Sequence, residues 1–385
     1  MVSVLDNLNS IRKVDKSDAL GILLKLPESC GEAVEATRRL DLPSTVRVSD
    51  RRVIHYRQPK KVLVVGMGGS AIGGDLLRCW LTGVVNVPID VCRDYHIPAY
   101  TGQDTLVFAV SYSGNTEETV SSFLESVERG CAVISITSGG LLERYSNSLG
   151  IPLVKLPAGM PPRYAIPYLF FPLIVLSQKL GVIPGGDDEI KEAISVLGKV
   201  REEIKPENLT DKNISKKIAL SLRGKVPAIY GFGAYTAVAL RMKTQFNENS
   251  KTMSVFDRFP ELDHNEIVGW EAPLEVTRRF SVILIRDEVE PPPIRTRIEV
   301  TEGLIRAKAA GVHEVWCRGK STLAKMLSAI YIGDFASFYL AILNEVDPTP
   351  VSVIDRMKAE LQRRTDTLKQ LESRFRALNS HSVSR

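Results

Sequence analysis

A cluster of hydroxyl side chains follows a strongly apolar stretch in the first half of the chain. The sequence TLVFAVSYSGNTEET places Ser111, Ser113 and Thr116 around one turn, directly before a predicted helix. Backbone N–H groups at a helix N-terminus are unpaired and attract anions. The alternative, capping of the helix by Ser113 or Thr116, needs only one hydroxyl. Three hydroxyls at one turn therefore favour a site for a terminal phosphate.

A glycine-rich turn lies upstream, in VLVVGMGGSAIGGD, between a predicted buried strand and a predicted helix. Glycine lets the backbone approach a phosphate closely, so Gly68, Gly69 and Ser70 are candidates to complete the phosphate site. Both turns follow parallel strands at their carboxyl ends, where open α/β sheets bind ligands.

The same turn also matches GxGxxA, a pattern close to that of dinucleotide-binding proteins. An acidic residue at the end of the next strand would then hold the ribose, and Asp90 and Asp94 are candidates. The glycines alone do not distinguish a dinucleotide from a small molecule with a terminal phosphate. The hydroxyl cluster favours the small molecule.

The elements that position these turns are short apolar strands alternating with helices, which is typical of a parallel sheet covered on both faces. The predicted strands are KVLVVG, PIDVCRDY, TLVFAVS, CAVISITS and IPLVKLP in the first half, and VPAIYGFG, FSVILIRD and HEVWCRG in the second. We expect an α/β protein with two similar doubly wound domains, each a mainly parallel sheet flanked by helices. The first 60 residues are predicted to be helical.

The predicted division is a helical segment over 1–45, domains over 46–205 and 206–346, and a helical tail over 347–385. The tail is predicted as an amphipathic helix that docks on its own domain or on a sister subunit. Its apolar face comprises Leu361, Leu368, Leu371, Phe375 and Leu378.

Composition excludes several classes of protein. The net charge of +5 is spread along the chain, which suits an anionic substrate but not nucleic acid. The N-terminus has charges where a signal peptide needs an apolar core. The most hydrophobic segment, IPYLFFPLIVLSQKLG, is interrupted by prolines and is too short to span a bilayer. The five cysteines have no metal or disulfide spacing. We expect a soluble, cytoplasmic protein with no membrane partner.

Several motifs together resemble a known family. GMGGSAIGGD followed by AVSYSGNTEET resembles the phosphosugar-binding SIS (sugar isomerase) domain, which is flavodoxin-like. FNENSK, PELDHNEIVGWE, PPRYAIP and EVDPTPVSVIDRMK resemble the bifunctional phosphoglucose/phosphomannose isomerases of archaea and some bacteria, over residues 45 to 365. The resemblance implies a homodimer that needs no cofactor. It also implies interconversion of glucose 6-phosphate and mannose 6-phosphate with fructose 6-phosphate through a metal-free cis-enediol.

The resemblance also implies roles for individual residues. Glu248 would be the base that moves a proton between adjacent sugar carbons, and His264, contributed by the neighbouring subunit, would open the sugar ring. Arg163 would stabilise the enediolate, and Lys358 would assist ring opening. Spacing alone leaves Glu261 open as a rival base.

One position departs from the family pattern. Val351 stands where a threonine is expected to make room for the mannose epimer, and Thr349 lies two residues earlier. Activity on mannose 6-phosphate is therefore less firmly implied than activity on glucose 6-phosphate. A non-catalytic sugar-phosphate sensor is the alternative function. The isomerase part of glucosamine-6-phosphate synthase is disfavoured, because no N-terminal cysteine nucleophile is present.

Overall fold

The computed structural model describes residues 4–49 and 52–380. The described chain divides into two compact units. The first-sheet unit consists of Ser29–Gly186 and the chain from Val351 onward, and the second-sheet unit consists of Asp187–Pro350 and the described residues up to Glu28. The division predicted at residues 45, 205 and 346 stays a prediction.

The strands of the described chain are β1 Thr45–Ser49, β2 Arg52–His55, β3 Lys61–Val65, β4 Ile89–Cys92, β5 Thr105–Val110, β6 Ala132–Thr137, β7 Leu153–Lys155, β8 Val226–Phe232, β9 Val255–Phe259, β10 Phe280–Arg286 and β11 Gly311–Trp316. Its helices are α1 Leu8–Val14, α2 Ala19–Leu24, α3 Leu26–Arg38, α4 Ile72–Leu81, α5 Glu117–Glu128, α6 Gly140–Leu149, α7 Ile166–Lys179, α8 Asp187–Ile204, α9 Ile214–Leu222, α10 Tyr235–Asn249, α11 Glu266–Gly269, α12 Leu274–Thr277, α13 Pro292–Ile305, α14 Thr322–Leu343, α15 Ser352–Arg364 and α16 Thr367–Ser380.

The first sheet has the strand order β4–β3–β5–β6–β7, and all its pairs are parallel. Every residue of β5 and β6 is buried, which explains their unbroken apolar sequences. This order is the flavodoxin-like one, in which the chain reverses direction across the sheet between β3 and β5.

The second sheet has the order β11–β10–β8–β9 and is also parallel. Read from its β9 edge, the order β9–β8–β10–β11 corresponds strand by strand to β4–β3–β5–β6 of the first sheet. The predicted pair of similar doubly wound domains is therefore confirmed. β9 was not predicted, because its sequence VFDRF carries two charged residues and lies at the edge of the sheet.

The prediction that the first 60 residues are helical is wrong after Arg38, where α3 ends. β1 and β2 form an antiparallel pair in which Val46 lies opposite Ile54. Both residues are buried, whereas their neighbours Thr45, Arg47, Val53 and His55 are exposed. This alternation is the pattern of half-buried strands.

Helix α14 is the core of the second-sheet unit. It is long and apolar enough to cross a membrane, but residues 323–343 are all buried within the unit. Helices α8, α9 and α10 pack against it. Its apolar sequence is therefore explained by a position in the protein interior.

The C-terminal tail forms two helices and not the single one predicted. The backbone of Thr365 is extended, which ends α15 before α16 begins. Leu371 and Phe375 are buried where α16 packs on α5 and α6, as the predicted docking on its own domain requires. Leu361, which lies on α15, is 46% exposed.

We predict that Phe375→Ala destabilises the first-sheet unit by about 3 kcal/mol, because it removes a buried aromatic ring. The Phe375 ring stacks on Tyr145 with 3.9 Å between ring centroids. Urea unfolding followed by circular dichroism measures the change. Arg376→Ala, which truncates the exposed neighbouring side chain, is the control and should cost less than about 0.5 kcal/mol. Equal losses would contradict the packing role.

Candidate active site

The two predicted phosphate turns lie side by side in the first-sheet unit. The turn with Gly68, Gly69 and Ser70 follows β3, and the turn with Ser111, Ser113 and Thr116 follows β5. These strands are neighbours at the point where the strand order reverses. Open α/β sheets bind ligands in the crevice at this point.

The hydroxyls of these turns have different surroundings. Ser70 is buried, and its Oγ accepts a hydrogen bond from the Tyr112 N–H at 3.1 Å, which joins the two turns. Ser111 is fully buried, where its Oγ accepts from the Gly114 N–H at 3.1 Å and donates to Thr116 at 2.9 Å. Ser113 is exposed. Ser111 therefore shapes the turn from inside, and Ser113 faces solvent.

The first turn of α5 is left open. Thr116 is the N-cap residue, but its side chain makes no capping hydrogen bond. Ser113 Oγ accepts from the N–H of Asn115, which precedes the helix, so capping does not account for the hydroxyls. The turn packs closely on the one after β6, because a Cβ at Gly114 would lie 1.7 Å from the Gly139 carbonyl oxygen. Gly114 has φ of 70°, so only glycine fits there. Unpaired N–H groups at a helix N-terminus attract anions, so this turn suits the phosphate that the sequence predicts.

Tyr112 connects this turn to the loop that carries Arg163. Its hydroxyl donates to the Pro157 carbonyl at 2.8 Å and accepts from the Met160 N–H at 3.0 Å. Its carbonyl accepts from the Ser138 hydroxyl at 2.6 Å. Sequence reasoning missed this residue, and the only signal was a tyrosine between two predicted phosphate-binding serines.

Arg163 is only 2% exposed, which excludes the ordinary surface position of an arginine. Its guanidinium lies over the Tyr164 ring, 4.9 Å from the centroid. A Cβ on Gly69 would come within 3.2 Å of the Arg163 backbone nitrogen, so the Arg163 loop lies against the glycine-rich turn. The structure thus brings Arg163 to the predicted phosphate site.

The candidates for ribose binding fit this crevice less well. Asp90 lies inside β4 and accepts a hydrogen bond from the Tyr100 hydroxyl at 2.5 Å. Asp94 follows the strand, and its Oδ1 accepts from the backbone N–H of Tyr95. Asp90 therefore lies inside the strand and not at its end, and both carboxylates already accept a hydrogen bond from a neighbouring residue.

The corresponding crevice of the second sheet is filled by side chains. Asp287, just after β10, is buried and accepts hydrogen bonds from Lys325 at 2.7 Å and from the Tyr235 hydroxyl at 2.5 Å. Burial opposes ionisation of Asp287, but the hydrogen bonds from Lys325 and Tyr235 lower its pKa overall. An ion pair and a tyrosine hydroxyl fill the place where the first sheet has hydroxyls, so this crevice does not suit a phosphate.

Glu248 is half-buried in the last turn of α10, in the second-sheet unit. A buried ion pair between Arg241 and Asp334, 2.6 Å long, joins α10 to α14. Beside Glu248, the Asn249 amide donates to the Ser337 hydroxyl at 2.9 Å. These contacts hold the end of α10 that carries the predicted base.

His264 is exposed in a short turn after β9, in the second-sheet unit. Across the part of the chain that the structure describes, no hydrogen bond or ion pair links its side chain to another residue. Its neighbours are anchored: Asp263 accepts from Arg297 and Thr301, both at 2.9 Å. The turn is therefore fixed while the imidazole faces solvent.

Glu266 anchors the other side of this turn. Its carboxylate accepts from the Tyr230 hydroxyl at 2.5 Å, and Trp270 Nε1 donates to the same hydroxyl at 3.2 Å. Burial raises the pKa of Glu266, the Tyr230 hydrogen bond opposes the rise, and the nearby Asp257 adds to it.

The remaining predicted residues are at the surface. Lys358 is exposed on α15, in the first-sheet unit, and Val351 is the N-cap residue of that helix. Glu261 is exposed and accepts from the Asn265 amide at 2.8 Å. Exposure leaves Glu261 solvated, whereas Glu248 has the partial burial expected of a base.

Comparisons with known families define the class of protein. The SIS domain family matches residues 55–148, and the family described as "Bacterial phospho-glucose isomerase C-terminal SIS domain" matches residues 211–361. A crystal structure of a hypothetical protein from Thermus thermophilus shares the fold, with a TM-score of 0.69 and 18% identity over 93% of this chain and 94% of that one. The protein is thus built from SIS domains.

Two curated relatives are both named "Bifunctional phosphoglucose/phosphomannose isomerase". The relative from Caldicellulosiruptor bescii is 44% identical over 78% of this chain and 89% of its own length. The relative from Aquifex aeolicus is 35% identical over 79% of this chain and 91% of its own length. The chain belongs to the family of bifunctional phosphoglucose/phosphomannose isomerases, so the resemblance seen in the sequence and the expectation of an isomerase are confirmed.

We predict that Glu266→Gln stabilises the protein at pH 8 but not near pH 4.5. Folding raises the pKa of Glu266 above 4.5, so the folded protein favours the neutral carboxyl group. The stability that this neutral group contributes is complete below pH 4.5 and is lost as the pH rises and the group ionises. Glutamine stays neutral and still accepts from Tyr230. Thermal denaturation at both pH values measures the difference. The same pH dependence in Glu261→Gln, the control on the same segment, would contradict the assignment.

Proposed function

We propose that the protein interconverts glucose 6-phosphate and mannose 6-phosphate with fructose 6-phosphate, without a metal or cofactor. The observation that carries the proposal is the crevice between β3 and β5, lined by hydroxyls and by the open N-terminus of α5. A terminal phosphate suits this crevice in size and charge. Membership of the isomerase family supports the reaction type.

The proposed mechanism assigns one task to each predicted residue. His264 transfers a proton to the ring oxygen as the C1–O5 bond breaks and the O1 hydroxyl loses its proton to solvent, and Lys358 assists this step. Glu248 then removes the proton from C2 while O1 gains a proton, which forms a cis-enediol. Return of the Glu248 proton to C1, with loss of the O2 proton, gives the ketose. Arg163 stabilises the negative charge that develops on O1 as the C2 proton leaves, until O1 is protonated.

We propose that Gly68, Gly69, Ser70, Ser113 and Thr116 bind the phosphate. Ser111, the remaining predicted ligand, would contribute through the shape of the turn, because its hydroxyl is buried and paired within it.

We also propose a homodimer in which the neighbouring copy supplies His264. The support is the contrast between the exposed imidazole and its anchored neighbours, which suits a side chain presented to a second molecule. A cytoplasmic location belongs to the same proposal, since the substrates are intracellular sugar phosphates. Because Val351 departs from the family pattern, the proposal is weaker for mannose 6-phosphate than for glucose 6-phosphate. The comparisons lend no support to the sensor alternative.

Glu248→Gln should lower turnover about 1,000-fold, because the amide cannot accept the C2 proton. A coupled assay on glucose 6-phosphate and mannose 6-phosphate, with a chelator present, measures turnover, and the chelator should leave the wild-type rate unchanged. Calorimetry with glucose 6-phosphate should show that binding persists. Glu261→Gln is the matched control and should stay active. Near wild-type turnover in Glu248→Gln, or its loss in Glu261→Gln, would show that Glu248 is not the base.

Mixing two inactive variants tests the shared site. A dimer of one Glu248→Gln chain and one His264→Ala chain has one site with both residues intact. After random exchange of subunits about half of the dimers are mixed, and one of the two sites in each mixed dimer is intact. Turnover should therefore return to about a quarter of the wild-type value. Failure of the mixture to recover activity, with exchange verified by mass spectrometry, would place both residues in the same subunit's site.

A further inference from the structure

Lys251 has an unusual backbone conformation at the end of α10. Its φ is 53°, in the left-handed region. Helices commonly end with a residue in this region, but that residue is usually glycine or asparagine, because a Cβ makes the conformation costly. A lysine there needs a compensating interaction.

The Lys251 ammonium supplies that interaction. Its Nζ lies 2.8 Å from the carbonyl oxygen of Glu248 and 3.4 Å from that of Asn249, in the last turn of α10. It also lies 3.1 Å from the carbonyl oxygen of Asp347 and 3.0 Å from that of Pro348. One cation therefore holds two segments that lie almost a hundred residues apart in the chain.

Neighbouring contacts reinforce the same junction. The Asn344 amide, at the end of α14, donates to the Ser250 carbonyl at 3.1 Å and to the Thr252 hydroxyl at 3.2 Å. The N–H of Thr252 donates to the Phe246 carbonyl at 3.2 Å. The backbone on both sides of Lys251 is thus tied down. An ordinary cation at a helix C-terminus interacts only with its own helix.

We propose that Lys251 is a positioning residue for the isomerase reaction, acting through the Glu248 backbone. The inference rests on the proposed role of Glu248 as the base. A base must be held to within a fraction of an ångström of its working position, whereas the ends of helices fray. Lys251 binds the carbonyl group of Glu248 itself and fixes it to the segment that leads into α15.

A helix cap that acts only on stability is the competing explanation, and glycine separates the two. Lys251→Gly keeps the left-handed turn at no steric cost but removes the ammonium. Lys251→Arg keeps a cation that can reach the same carbonyl groups. Glu345→Gly is the matched control, because Glu345 has φ of 56° in the same unit and begins the segment that Lys251 holds.

The experiment measures kcat and KM for glucose 6-phosphate in the wild-type protein and these three variants. For Lys251→Gly we expect kcat to fall roughly 10- to 100-fold with little change in KM, since the base is displaced but the phosphate site is intact. Lys251→Arg should recover most of the loss, and Glu345→Gly should match the wild-type protein. With substrate deuterated at C2, Lys251→Gly should also transfer a smaller share of deuterium to C1, because a displaced base loses more of it to solvent.

The outcomes separate this inference from the proposed function. Wild-type kcat in Lys251→Gly, or equal losses in Lys251→Gly and Glu345→Gly, would overturn the positioning role while leaving the isomerase reaction in place. A wild-type protein without isomerase activity would overturn the proposed function, and the role of Lys251 with it. A loss in Lys251→Gly that appears in KM and not in kcat would also overturn the positioning role.

Discussion

The buried ion pair between Arg241 and Asp334 constrains the two helices that position the end of α10 in the second-sheet unit. Both side chains are almost fully buried, and charges taken out of water are tolerated only when each has its partner. Because the partners lie on α10 and α14, the pair specifies how one helix lies along the other. The position of Glu248 follows from this register, since Asn249 and Lys251 then meet their own partners on or after α14.

The two sheets show how a duplicated fold can acquire different roles. The four strands of the second sheet have the order of the first four strands of the first sheet, and each sheet has a crevice where that order reverses. In the first sheet the crevice is lined by hydroxyls and an open helix N-terminus, whereas in the second it is filled by Asp287 with Lys325 and Tyr235. The second-sheet unit instead carries Glu248 at the end of α10, before β9, and His264 in the turn after β9. The topology is shared, and a few side chains decide which copy suits an anion.

Local patterns made most of the fold predictable, and long-range contacts account for what was missed. The strands of the first sheet are continuous apolar runs, so they could be identified directly, but β9 and the β1–β2 hairpin are short and carry charges. The hydroxyls of the phosphate turn were visible because they are adjacent in sequence. The roles of Tyr112 and Lys251 were not, because their partners lie tens to almost a hundred residues away. Glu248 and His264 became candidates only through the family resemblance.

Tyr112 has a consequence for how such a chain can diverge. It is bound to Ser70, to Ser138 and to the loop before Arg163, so the three segments around the crevice share one residue. A substitution that suits one segment alone disturbs the other two. The segments around the crevice are therefore constrained together by this residue. Positions that Tyr112 does not contact can change one at a time.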